Sequence, residues 1–182
     1  MVLETLKYKA KRWLQMHDLP IPVRGGAMVA KTCLTAQLME MDLNGDFVAV
    51  KGGRRVVRNR VVADTFVQWL VDDMQSASAL IDQYNNHDSG VGTTAEVKTQ
   101  GSLISPWAGA RTSGSQHEGG SNNVYRTVAL TEYTGSFAIT EHMVFNQGSL
   151  GTGLDRSLFD PITVASGSKI EYTYDFQPAS GG

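Results

Sequence analysis

The sequence predicts a mainly β protein, with an antiparallel β-sandwich or jelly-roll-like body, an N-terminal helix and arm, and one further short helix. Three observations predict this fold class. After about Ala77 the chain becomes rich in Gly, Ser and Thr, apolar residues begin to alternate with polar ones, and turn-forming clusters separate the alternating segments. Several half-buried strands at this spacing are typical of sandwiches and jelly rolls.

The bulk properties of the chain fit one compact domain, or one domain with an extended arm. It has 182 residues, of which 41% are hydrophobic and 19% charged, and its net charge is −2. Basic residues lie toward the front: there are 11 basic and 10 acidic residues up to Gly90, and 5 basic and 8 acidic after it. Because the overall charge does not attract nucleic acid, we expect no nucleic-acid partner.

Residues 1–30 are predicted to form a short amphipathic helix followed by an extended arm. Four apolar residues recur at helical spacing: Leu3, Leu6, Trp13 and Leu14. Pro20 and Pro22 then prevent the helix from continuing. A terminal helix folded back on its own domain is an equal alternative.

Neither a signal peptide nor a membrane span is recognisable in the chain. The N-terminus has scattered charges without an apolar core, and no apolar run is long enough to cross a bilayer. We therefore expect a soluble protein that is not exported and does not contact membranes. The lone Cys33 cannot form an intrachain disulfide, so the fold must depend on packing.

Residues 31–182 are predicted to form the β-rich body: a hairpin at 31–51, a helix at about 61–75 and a sandwich from about 78 to 182. Asn44-Gly45 lies between two strand-like runs, which predicts a hairpin with a type I′ turn and positive φ at both residues. The surrounding Asp-rich turn also resembles the start of a calcium loop. Phe47 replaces the glycine such a loop needs, so calcium is not expected.

A basic cluster separates the hairpin from the predicted helix, in which Val62, Phe66, Leu70 and Met74 repeat at i+4. The cluster could contact an acidic neighbouring subunit or phosphate, although a solvated basic face is the common explanation for such a group. The candidate assembly contacts, including two residues of the N-terminal arm, are Trp13, Arg24, Arg54, Arg55, Arg58 and Arg60.

Four segments of the second half alternate in the manner of strands. In the clearest, Ile170, Tyr172, Tyr174 and Phe176 share one face. The others are Phe137–Phe145, a strand carrying Val124, Val128 and Leu130, and Leu154–Phe159. The region from Gly90 to Gly120 is predicted to be a long, partly irregular surface excursion, with a possible strand at Val97–Ile104.

No residue pattern indicates catalysis, a cofactor or a metal. The four histidines, His17, His87, His117 and His142, lack metal-ligand spacing, and we expect them to be hydrogen-bonded surface or interface residues. Nucleophile-elbow and phosphate-loop motifs are lacking, so no enzyme is predicted. Tyrosines 125, 133, 172 and 174 could bind a sugar, but more often such residues form a core edge or a subunit interface.

The second half resembles a set of small virion structural proteins of tailed phages. The resemblance covers residues 88–182 and rests on five segments: DSGVGTTAE, EGGSNNVYRTV, AITEHMVF, LDRSLF and GSKIEYTYDF. The chain departs from the pattern at Val91, where threonine is usual, and at Met143, where glycine often follows Glu-His. Because methionine resists the positive φ that glycine permits, the turn geometry near Met143 is in question.

The resemblance implies a β-sandwich that assembles as an oligomer within a virion built in the bacterial cytoplasm. The leading interpretation is a capsid cement or decoration protein, expected to be a homotrimer, whose partner is the major capsid protein. A neck, baseplate or tail-fibre adaptor is the second interpretation. A carbohydrate-binding module that uses the strand tyrosines is the third.

Overall fold

The fold is described from a computed structural model that covers residues 28–58, 62–67, 70, 83–119 and 124–180. The predicted N-terminal helix, Trp13, Arg24, Arg60 and most of the predicted helix at 61–75 lie outside these residues. The chain divides into two units, and the larger one runs from Ala30 to Pro178. Of the smaller unit, the structure describes only the first residues of the first strand and the last residues of the final strand.

The described residues are mainly β, as the sequence predicts. The strands are β1 (Met28–Met41), β2 (Phe47–Arg58), β3 (Asn86–Gly90), β4 (Thr112–Ser113), β5 (Ser115–Glu118), β6 (Tyr125–Glu132), β7 (Phe137–Phe145), β8 (Gly153–Val164) and β9 (Lys169–Ser180). Residues 64–67 and 70 are helical, within the predicted short helix.

Two antiparallel sheets contain all nine of these strands. The first has the order β2-β1-β9-β6-β5 and the second the order β4-β3-β7-β8. Their facing sides share one core, to which β9 contributes Ile170, Tyr172 and Tyr174 and β7 contributes Ile139 and Val144. The burial of these β9 residues confirms the alternation that the sequence shows.

The hairpin of β1 and β2 is confirmed, but its turn differs from the predicted type. Gly45 has a φ of 88°, whereas Asn44 does not have a positive φ. Gly45 N–H donates to the Asp42 carbonyl (3.1 Å), and Asp42 N–H donates to the Asp46 carbonyl (2.8 Å). This is a three-residue loop that needs only one left-handed residue, and Asp42 Oδ1 stabilises it by accepting the Asn44 and Asp46 amides.

Strand β2 continues beyond Gly52 and Gly53, where the sequence predicts that the hairpin ends. The register passes from Met39 opposite Ala49 to Gln37 opposite Arg54, so β2 carries a bulge at the two glycines. Gly52 has a φ of 82° at this bulge. The arginines that follow therefore lie on a strand rather than in a connector.

Strand β6 buries threonines and leaves two of its apolar residues on the outer side. Val128 is only partly buried and Leu130 is exposed, whereas Thr127 and Thr131 are buried. The threonines find hydroxyl or imidazole partners in the interior, and these contacts fix the register. The predicted strand that carries Val128 and Leu130 is present, and Val124 lies just before it.

Residues 91–111 after β3 are irregular and mostly exposed, as predicted, but part of this segment, here called the covering layer, packs over β7. Glu141, Met143 and Phe145 of β7 point away from the facing sheet, yet all three are buried because Leu103 and its neighbours pack over them. The segment contains no strand at 97–104. Met143 lies inside β7, so no turn is formed there.

Candidate functional site

The outer edge of β2 carries the arginines that were singled out as assembly contacts. Strand β2 ends its sheet, so one side of it pairs with no other described strand. Arg54 and Arg58 are exposed on this strand, as is Lys51 at the bulge. An exposed strand edge is a surface to which another chain can add, and the adjacent charges determine which chain can do so. These residues, with the hairpin tip described next, form the β2 edge surface.

The hairpin tip next to this edge exposes apolar side chains. Leu43 is fully exposed, and Met41 and Val48 are 63% and 46% exposed. The tip is held in place because Lys169 lies 4.1 Å above the centre of the Phe47 ring and Asp42 accepts two backbone amides. A shaped, apolar protrusion beside a row of cations is typical of a protein-binding surface.

Arg55 differs from Arg54 and Arg58 because its guanidinium is hydrogen-bonded to backbone carbonyl groups of the same chain. It donates to the carbonyl oxygens of Asp160 (3.2 Å) and Pro161 (3.1 Å) on β8, and to those of Gly52 and Arg54 on its own strand. It therefore connects the edge strands of the two sheets. Beside it lies an open groove of about 400 Å³, lined by Arg55, Val56, Val57, Leu158, Phe159 and Asp160.

Three of the four strand tyrosines are unavailable for binding a sugar. Tyr133, Tyr172 and Tyr174 are fully buried, and burial raises the pKa of Tyr133 to about 12 and those of Tyr172 and Tyr174 well above their usual value. Tyr125 is partly buried and donates from its hydroxyl to the Tyr84 carbonyl (2.7 Å). These rings belong to the core, which is the other interpretation that the sequence allows.

Two histidines form a pair between the sheets, which the sequence did not predict. His87 Nδ1 lies 3.0 Å from His142 Nε2, and His87 Nε2 lies 3.0 Å from Thr127 Oγ1 of the facing sheet. Both rings are fully buried, so the expectation of a surface or interface position is wrong for these two histidines. His117 is exposed on β5, as expected. Burial lowers the pKa of His87 to about 3; burial and then the charge of His87 lower the pKa of His142 well below 6.5.

A second hydrogen-bonded chain crosses the same interface. Ser89 Oγ lies 2.8 Å from the Tyr133 hydroxyl, which lies 2.7 Å from the Tyr172 hydroxyl. The His142 ring stacks on Tyr172 with ring centres 4.4 Å apart. The interior of the sandwich is thus polar at its centre, and its polar groups bind one another across the sheets.

Glu141 and Arg156 form a buried ion pair that anchors the covering layer. Glu141 accepts from Arg156 Nε (2.5 Å) and from the amides of Gly92 (3.0 Å), Ile104 (3.2 Å) and Ser105 (2.8 Å). Arg156 Nη1 donates to the Thr94 carbonyl at 2.7 Å. Burial alone raises the pKa of Glu141, but the bonds from Arg156 and the backbone amides outweigh it and hold that pKa below its ordinary value.

A partly buried ion pair orders the loop between β7 and β8. Arg111 pairs with Asp88 (3.3 Å), lies 3.4 Å above the Phe145 ring and donates to the carbonyls of Gln147 and Leu150. Leu150 has a φ of 57° and is 85% exposed. The loop therefore presents a second apolar side chain on an ordered support.

The buried histidines, tyrosines and ion pair described above are hydrogen-bonded to other groups of the chain. Within the described ranges no group of three or more His, Cys, Asp or Glu residues could hold a metal ion. No helix among the residues that the structure covers is long and apolar enough to cross a membrane. Neither a protein-family model, nor a curated protein, nor a solved structure matches the chain.

Proposed function

We propose that this chain is a virion structural protein, and specifically a capsid cement or decoration protein that binds the major capsid protein of a tailed phage. One observation carries the proposal: the β2 edge surface presents Arg54 and Arg58 on a strand edge that pairs with no other described strand, and the same hairpin ends in the exposed apolar tip at Leu43. A strand edge, cations and exposed apolar groups along one hairpin favour docking onto an acidic protein surface.

The buried groups support the same proposal in a different way. The ion pair of Glu141 and Arg156, and the clamp that Arg55 forms on β8, brace the body and its edge strands. A braced edge loses little conformational freedom on binding, so more of the interaction energy appears as affinity. A cement protein needs this property because each of its contacts is modest and only the sum over many copies stabilises the shell.

The proposed assembly also includes features that the described residues do not test. The body is proposed to be jelly-roll-like and to form a homotrimer in the virion, after assembly in the host cytoplasm. Trp13, Arg24 and Arg60 are proposed to join Arg54, Arg55 and Arg58 in the contact with the shell. Because Arg55 is already bound to β8, its contribution is to hold the edge in shape, while Arg54 and Arg58 make the contact.

The first test is the copy number of the protein in purified virions, measured by quantitative mass spectrometry against the major capsid protein. A ratio near one supports a layer over the whole shell. A few copies per hundred capsid subunits would instead support the neck, baseplate or tail-fibre alternative, and absence from the particles would refute a virion role.

A second test measures binding of the purified protein to capsids that lack it. Arg58→Glu is expected to reduce binding at least about tenfold, because it places a like charge against an acidic partner. The matched control is Lys98→Glu, an equal change of charge on an exposed side chain of the covering layer, which should bind as the parent does. Equal binding by both variants and the parent would contradict docking through the β2 edge surface.

A further inference from the structure

The two buried histidines lie where the sheets meet. His87 belongs to β3 and His142 to β7, while their contacts Thr127 and Tyr172 belong to β6 and β9 of the opposite sheet. The imidazole pair is therefore part of the interface that holds the sandwich together. Any change that moves these rings must also disturb the packing between the sheets.

Each neutral ring carries one N–H proton, and the contacts of the pair accommodate this state. One proton lies between His87 Nδ1 and His142 Nε2, and the Thr127 hydroxyl can accept from or donate to His87 Nε2. His142 Nδ1 is buried without a hydrogen-bond partner. A third proton, on His142 Nδ1 or on His87 Nε2 beside Thr127, would put a positive charge on a fully buried ring. A fourth would set two N–H groups against each other across 3.0 Å.

The groups that face the pair do not offset a positive charge, and the buried carboxylate of Asp155 on β8 is hydrogen-bonded to Tyr174. The facing strands contribute Thr127 and Tyr172, and the adjoining strands contribute Ser89 and Ser157 opposite His142 and Thr112 opposite His87, all neutral near pH 7. The nearest carboxylates along the chain, Asp88 and Glu141, point to the other face of their strands. They are bound there by Arg111 and Arg156.

We propose that the His87–His142 pair is an acid-sensitive latch between the two sheets, which closes when both rings are neutral and releases the interface when both take up protons. The proposal is independent of what the protein binds. It makes mild acid a specific signal for opening the sandwich, in advance of the general titration of carboxylates.

The sign of the effect follows from the direction of the pKa shifts. Both histidines have a folded-state pKa below the ordinary value of 6.5, so the unfolded chain binds more protons as the pH falls. The contribution of the histidine pair to folding stability is therefore complete above about pH 6.5 and is lost as the pH falls toward 3. Between pH 7.5 and 5.0 each histidine should raise the unfolding equilibrium constant roughly 30-fold, and the pair about 1,000-fold.

The test is urea denaturation of the full chain at a series of pH values in this window. His142→Phe retains a ring that can stack on Tyr172, and His87→Gln retains a donor for Thr127. Each should reduce the pH-dependent change from about 1,000-fold to about 30-fold. His117→Gln, which alters an exposed histidine, should keep the full change. A single-histidine variant with the pH dependence of the parent would overturn the proposal.

Side-chain nitrogen NMR of the unmodified protein provides a measurement that does not depend on whether the variants fold. The latch requires His87 and His142 to remain neutral at pH 5.5 in folded molecules. Reversible protonation of either buried ring near pH 6.5, without loss of the folded signals, would overturn the proposal.

Discussion

At the scale of single residues, Glu141 shows how a carboxylate can be buried in a strand that looks apolar. It sits among Ile139, Met143 and Phe145 in an alternating segment, and its sequence neighbours give no sign that it is fully enclosed. Its ligands come from residues 92–105 and from Arg156. Short-range patterns cannot predict such distant partners, whereas they did predict the buried tyrosines of β9.

Replacing Glu141 by Gln should destabilise the protein by about 3 kcal/mol or more, because it leaves the buried Arg156 guanidinium without its counter-charge. Urea denaturation measures the loss. Hydrogen exchange should become faster at the amides that Glu141 accepts, those of Gly92, Ile104 and Ser105.

Glu132→Gln is the matched control, since Glu132 pairs with Lys169 at the surface and the loss should stay below about 1 kcal/mol. A similar cost for the two variants would mean that Glu141 does not anchor the covering layer.

At the scale of elements, the hairpin was predictable because its signal is local. Asn-Gly between two β-forming runs is enough to predict the reversal, although the side chain of Asp42 decides that a three-residue loop forms instead of the expected two-residue one. The covering layer at 91–111 was not predictable because its order depends on β7 and β8. The buried face of β6 could not be predicted from its own residues, because its threonines are hydrogen-bonded to groups on other strands.

An alanine at position 45 of the hairpin turn would strain the backbone without causing a steric clash. Gly45 has a φ of 88°, and a methyl group added there would meet no atom within 4 Å. Gly45→Ala should therefore destabilise the protein by about 1–2 kcal/mol through conformation alone.

Gly148→Ala is the comparison, since Gly148 lacks a positive φ and its new methyl would make only an ordinary contact of 3.6 Å with Asn86. It should be neutral or slightly stabilising in the same thermal or urea denaturation. Equal losses of unfolding free energy in Gly45→Ala and Gly148→Ala would show that the turn does not require a left-handed residue at position 45.

At the scale of the whole molecule, the distribution of charge disfavours the β2 edge surface as a contact between copies of this chain. Pairing β2 with β2 of a second copy would bring Arg54 and Arg58 of the two molecules together, and like charges across a strand pair are unfavourable. The bulge at Gly52 further disrupts a regular edge. Copies of the chain should therefore associate through other faces, which leaves the β2 edge surface for a different, acidic partner.

The proposed function therefore predicts that one substitution can weaken binding to capsids while the oligomer stays intact. Arg58→Glu should sediment as the same oligomer as the parent, a trimer under the proposed function, while its binding to capsids falls as described above. Analytical ultracentrifugation at several concentrations and the capsid-binding assay on one preparation provide the comparison. If Arg58→Glu dissociates the oligomer, the β2 edge surface must lie between copies of this chain, and the contact with the shell must be sought elsewhere, with the exposed Leu150 loop as the next surface to alter.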